Sequence, residues 1–171
     1  MSQSDTFIIR ANLERNPSIY RDIEIGGSRS LYKLAEAIVS SFDFDFDHAF
    51  GFYTGLTDAT MMEKRPRYEL FADMGEADSG VLGVKKTKIA QAFRAIGHTM
   101  LFLFDYGDEW LFRVRFQETA KKMAKVRYPR VIATHGKAPE QYPEIDEEDA
   151  PTHGINLATG ERIEIPRKKR R

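Results

Sequence analysis

Residues 100–116 constrain the fold more than any other stretch of the chain. MLFLF at 100–104 is an unbroken apolar run, suited to a strand buried on both faces. WLFRVRF at 110–116 alternates instead, with Trp110, Phe112, Val114 and Phe116 on one side and Arg113 and Arg115 on the other. Between them stands Asp105-Tyr106-Gly107-Asp108-Glu109, whose glycine can take the positive φ of a tight connection. The spacing predicts an antiparallel hairpin.

Other periodicities fill in a sheet around it. FIIRANL at 7–13 puts Phe7, Ile9, Ala11 and Leu13 on one face, and after a turn at Glu14 to Pro17 a second strand places Ile19, Ile23 and Ile25 together. Leu31, Leu34, Ala35, Ile38, Val39 and Phe42 then form a helical stripe, with Ser28 or Ser30 available as its cap. The period switches to two in FDFDFDHAFGFY, where Phe42, Phe44, Phe46, His48, Phe50 and Phe52 share one parity and Asp43, Asp45 and Asp47 the other. RYELFA at 67–72 reads as a strand and 73–83 as a loop. Ile89, Ala92, Phe93 and Ile96 give a second, shorter stripe closed by Gly97. After Lys125, three prolines and the acidic run from Glu144 to Asp149 predict a loop-like wrap. INLATGERIEI suggests a last hairpin turning at Thr159-Gly160, before the basic tail.

The expected fold is one α+β domain, an antiparallel or mixed sheet of five to six strands packed by two helices at about 30–42 and 88–96. Its strands are expected near 6–13, 18–26, 48–54, 66–72, 98–105 and 110–118, in a β-grasp-like order. A length of 171 residues suits one such domain, here 1–143, followed by an acidic and basic extension over 144–171. Zero cysteines exclude disulfides, thiolate metal sites and thiol nucleophiles. A net charge of zero argues against a wholly basic nucleic-acid coat. No apolar run reaches the ~20 residues of a membrane span, and MSQSD is unlike a signal peptide, so a cytoplasmic protein is expected.

Pro17 to Ile25, Leu31 to His48, Phe104 to Trp110 and Tyr128 to Glu140 together resemble a known family, the plasmid pRiA4b Orf-three-like proteins, also described as transposon-passenger proteins. Pro17 to Ile25 is similar to its opening P-x-I-W/Y-R-x-I-x-V strand, and Leu31 to His48 to its helix and exit. Phe104-Asp105-Tyr106-Gly107-Asp108-Glu109-Trp110 resembles its hallmark Y-D-F-G-D-x-W, with Phe104 in place of Tyr. Tyr128-Pro129-Arg130, with Gly136, Pro139 and Glu140, resembles the closing segment, but Val131 stands where the family's first cysteine falls. The resemblance implies an α+β fold, no established molecular function, and association with mobile elements. Zinc or redox chemistry from the family's cysteines does not transfer.

The candidate chemistry is sparse. Asp105, Tyr106, Gly107, Asp108, Trp110, Tyr128 and Arg130 are the candidate binding surface, the acids offering themselves to a cation or to Arg and Lys of a partner. In the competing reading, Asp105 accepts backbone N–H groups within the turn and Trp110 anchors the core. His48 with Asp47, Asp105 and Asp108 is the alternative, a hard-metal set for a hydrolase or nuclease, although Asp-x-Asp-His matches no ligand motif. By parity His48 is expected on the aromatic face, partly buried. Arg167, Lys168, Lys169, Arg170 and Arg171 are candidates for phosphate contact, against a role balancing the acidic run. Phosphate loop, Rossmann fingerprint and nucleophile elbow are absent from the sequence. No cofactor and no catalytic residue is therefore expected. The expected function is a non-enzymatic binding or adaptor domain with a protein partner. The alternatives are the metal-dependent enzyme and a toxin-like inhibitor of a replication or transposition protein.

Overall fold

The computed structural model describes residues 5–144, 153–155 and 158–164. In chain order it contains β1 (Asp5–Leu13), β2 (Asn16–Gly26), α1 (Leu31–Ser41), β3 (Phe50–Tyr53), α2 (Asp58–Met61), β4 (Arg67–Glu69) and α3 (Leu70–Asp73). There follow β5 (Leu82–Gly83), α4 (Ile89–Ala92), β6 (Thr99–Phe104), β7 (Trp110–Lys121), β8 (Arg130–His135), β9 (His153–Ile155) and β10 (Arg162–Glu164). Contacts divide the chain into two units, 1–139 and 140–171.

The first unit is built on one eight-stranded sheet in the order β5-β4-β3-β6-β7-β1-β2-β8. Only β4 and β5 pair in parallel among the described strands. This overturns the expected α+β domain of five to six strands under two helices, and its β-grasp-like order. Strands stand at each expected place, although the one expected over 66–72 stops at Glu69 and its second half, Leu70 to Ala72, is helical in α3. β5 and β8 lengthen the sheet, and three of the four helices are single turns of four residues. The stripe at 88–96 does not continue because Phe93 leaves helical geometry (ψ 87°) with its ring fully buried. Gly97, at φ +92°, donates its N–H to Phe116 O and so opens the approach to β6 where a helix cap was expected. In place of the expected wrap after Lys125, Arg130–His135 pairs antiparallel with β2. The β-branched pair Val131-Ile132 suits that pleated edge.

One face of the sheet carries the main core. Phe7, Ile9, Ala11 and Leu13 of β1, Ile23 and Ile25 of β2, and Phe112, Val114 and Phe116 of β7 are all buried against the stripe of α1. Ser30 caps that helix, its side chain accepting from Lys33 N–H at 3.2 Å. The opposite face carries a smaller cluster, Tyr53, Met61, Leu101 and Leu103, with Leu56, Tyr106 and Leu111 packed on it. MLFLF is therefore covered on both sides, as its unbroken apolar run requires.

The expected extended segment 42–52 keeps its alternation of burial from Phe42 to Phe46 but is not a strand until Phe50. Asp43 adopts φ +57°, which ends α1 and turns the chain outward. Arg21 secures this corner. It shares parity with Ile19, Ile23 and Ile25 and is 4% exposed. Its guanidinium donates to Ser41 O (2.9 Å), Tyr20 O (2.9 Å), His135 O (3.1 Å) and Gly136 O (3.0 Å), and stacks 4.6 Å from the Phe42 centroid. One side chain thus ties the C-terminus of α1 to β2 and to the end of β8.

In the second unit β9 and β10 form an antiparallel pair, with Gly160 at φ +71° between them. Most of the acidic run and the basic residues Arg167 to Arg171 lie outside the described residues. No helix among the described residues is long and apolar enough to cross a membrane.

Arg21→Met is expected to lower unfolding stability by about 1–3 kcal/mol, since it removes the shared donor of four carbonyl groups in a part-buried corner. Arg115→Met, at an exposed site, should change it by less than about 0.5 kcal/mol. Urea denaturation of the two variants distinguishes these outcomes.

Candidate functional site

The β6–β7 connection is shaped by Asp105, which is 4% exposed. Its Oδ1 accepts from the N–H of Gly107 (3.0 Å) and of Asp108 (3.3 Å). Its own N–H donates to Ala49 O at 3.0 Å, and its carbonyl accepts from Glu109 N–H at 2.7 Å. The left-handed positions are Asp105 (φ +64°) and Glu109 (φ +53°), not Gly107 as the sequence suggested. Aspartate tolerates that conformation because its short side chain bonds its own local backbone. Gly107 serves instead for closeness, since a Cβ there would stand 3.3 Å from Asp105 Oδ1.

Asp105 Oδ2 faces His48 Nε2 at 3.5 Å, while Asp47 Oδ1 lies 2.7 Å from His48 Nδ1. The imidazole is bracketed by carboxylates. It is 38% exposed and stands edge-on to Phe104, beside an aromatic as parity expected and bonded to a carboxylate, though more open to solvent than a partly buried ring. The Asp47 hydrogen bond, reinforced by the charges of Asp105 and Asp108, raises its pKa above the usual imidazole value. Asp47 and Asp105 meet opposite ring nitrogens and therefore do not converge on a point a cation would share. Among the described residues no group of three or more His, Asp or Glu side chains is arranged to hold a metal ion.

Tyr106 leans to the other side of the turn. Its Oη lies 2.7 Å from Tyr53 Oη, which donates to Glu69 Oε1 at 2.9 Å. Burial pushes Tyr106 up to about 12 and Tyr53 further above the ordinary phenol value. Beneath them Arg67, 6% exposed, stands 3.6 Å from Glu69 and pairs with Asp78 at 3.0 Å. Gly51 makes room for this network. A Cβ there would fall 2.8 Å from Tyr53 Oη, 2.9 Å from Tyr68 O and 3.0 Å from Tyr106 Oη.

A cleft of about 710 Å³ opens beside the turn. Leu56, Leu101 and Leu111 give it an apolar base, and Asp58, Asp108 and Glu109 are exposed acids on its lining. Arg113 forms the far wall, bonded twice to Glu14 (2.7 and 3.0 Å) and once to Leu56 O. Arg15 also lines the cleft, its guanidinium 4.3 Å from the Trp110 centroid. Trp110 itself is 4% exposed and packs on Phe44 at 4.7 Å, so it supports the site from the core and offers no binding surface of its own. Of the expected surface, only Gly107 and Asp108 are exposed, with Tyr106 half-buried.

Tyr128 and Arg130 are not neighbours of the turn. The register sets Leu13 beside Phe112 at the turn end of the sheet, whereas Arg130 pairs with Glu24 at the other end, three strands beyond β7. Arg130 is held by Glu24 (2.7 Å), and Tyr128 Oη accepts from Met123 N–H. Conversely Glu14, Arg15, Leu56 and Asp58 join the site without having been singled out. The outward parity of Arg113 was visible, but its neighbours come from 99 and 57 residues away in sequence.

The sequence profile described as "Plasmid pRiA4b ORF-3-like protein" matches residues 6–144, spanning the turn and the whole cleft. The chain belongs to that family. This ORF-3-like chain also resembles in fold the crystal structure of a protein of unknown function, MM3350, from Methanosarcina mazei Go1. The TM-score is 0.62 at 21% identity, over 78% of this chain and 71% of that one. No curated protein matches it significantly.

Two outcomes follow from the ORF-3-like turn. By NMR titration His48 should show a pKa above about 6.5, falling in Asp47→Asn and Asp105→Asn. Because folding favours the protonated ring, the stabilisation it confers is present in acid and disappears as pH rises through the raised value. Gly51→Ala should cost about 1–3 kcal/mol in denaturant melts through overpacking. Adding Tyr106→Phe should recover part of that loss, because it removes one of the crowded hydroxyls.

Proposed function

We propose that this ORF-3-like domain is a non-enzymatic binding module that seats a protein partner in the cleft beside the 105–109 turn. The observation that carries the reading is the cleft itself, an apolar base beneath exposed charge, walled by β-strands and a turn already held by Asp105. Sites on such pre-shaped elements lose little conformational freedom on binding. The metal-dependent hydrolase or nuclease reading lacks comparable support, because His48 meets Asp47 and Asp105 through opposite nitrogens. Inhibition of a replication or transposition protein is one form that such binding would take.

A photoreactive amino acid placed at position 109 is expected to cross-link one defined protein in cell extract. That protein, once purified, should bind the wild-type domain and lose at least about tenfold in affinity (about 1.4 kcal/mol) to a folded Leu111→Glu variant. Equal binding by the two, or turnover of a substrate that His48→Ala abolishes in a folded protein, overturns the reading.

A further inference from the structure

Resting on the cleft as a docking site, we infer that its occupant is a basic segment of a protein partner, seated through lysine or arginine side chains. Two kinds of lining lead to this. The first is charge. Of the charged groups around the cleft, Arg113 is already neutralised by Glu14, in a bidentate pair, and Arg15 is laid over the face of Trp110. Asp58, Asp108 and Glu109 take part in no salt bridge among the described residues. The field the cleft presents to a visitor is negative.

The second is the base. Half-buried Leu56 and Leu111 present apolar surface to the cleft, and Leu101, 2% exposed, closes the floor beneath them. A small hydrated cation gains nothing from leucines. Lysine and arginine do, because their methylene stems lie along apolar surface while the charged head reaches outward to carboxylates. An occupant with aliphatic stems and cationic heads matches both layers at once. The lining runs from residues 14–15 through 56–58 to 108–113, and a volume of about 710 Å³ accommodates several side chains of an extended segment. The turn's geometry is set before anything binds, since Asp105 holds Gly107 and Asp108 by their N–H groups and leaves the Asp108 carboxylate outside.

The test uses the full chain, labelled with nitrogen-15 and titrated at low salt with acetyl-hexa-arginine amide, hexa-glutamate and spermidine. Hexa-arginine is expected to shift the amides of Leu56 to Asp58 and of Asp108 to Leu111, with an affinity that weakens as salt rises. The double substitution Asp58→Asn with Asp108→Asn should weaken that binding about tenfold without lowering the melting temperature. Shifts that map elsewhere, unchanged affinity in the double variant, or equal affinity for spermidine at the same residues overturns the inference. If hexa-glutamate, or the cross-linked partner by an acidic or neutral segment, occupies these residues, the basic occupant is wrong and the docking cleft stands. If the cross-linked partner perturbs none of them, both fall.

Discussion

Phe52, Phe102 and Phe112 stand side by side on β3, β6 and β7, in register across three neighbouring strands. Their centroids are 4.7 and 5.9 Å apart, and Phe42 from the end of α1 closes on Phe112 at 4.9 Å. Aromatic pairs at such spacings contribute roughly 0.5–1.5 kcal/mol beyond their burial, and each ring removes a large apolar area from water. This slab sets the register of the central strands. A slip of one residue would send every phenylalanine to the opposite face, so the turn that joins β6 to β7 has one place to be.

The turn shows how a buried polar group is made tolerable. Asp105 takes a left-handed conformation inside the protein and is compensated by two backbone donors and by His48. Tyr106 and Tyr53 extend a second chain of hydroxyls to Glu69, which lies near the buried Arg67. Both networks attach the turn to the sheet beneath and leave Asp108 and Glu109 outward. Stiffness in the connection and exposure of its charge have a single origin.

Elsewhere the second face of the sheet is laced by cross-strand ion pairs, Arg10 with Asp22, Arg113 with Glu14 and Arg130 with Glu24. Such pairs each add a modest amount, about 0.2–1 kcal/mol. The sheet edges are guarded by different means. β5 is two residues long, and β8 carries a bulge at Ile132, which interrupts the flat template an adding strand would need. Three acids of the cleft, Asp58, Asp108 and Glu109, stand outside this pairing among the described residues.

Alternation made β1, β2, β6 and β7 readable, because a period of two on a half-buried sheet is recorded directly in residue order. The stripe from Leu31 to Phe42 likewise announced α1, and Asp105 and Gly107 announced a turn. Residues 54–87 were opaque: their strands are two or three residues long and their helices single turns, too short for any period to register. Arg21 was legible in principle as one charge on the isoleucine face of β2, yet its four carbonyl partners come from three separate segments. Of the cleft, only Asp108 and the outward side of Arg113 were legible. Glu14, Leu56, Asp58 and Leu111 have nothing in common along the chain, and they meet only because β1 pairs with β7 and the 54–61 segment folds back over β6. Local periodicity follows from which face of one element meets water, whereas a binding surface depends on which elements become neighbours, and pairing between distant strands alone settles that.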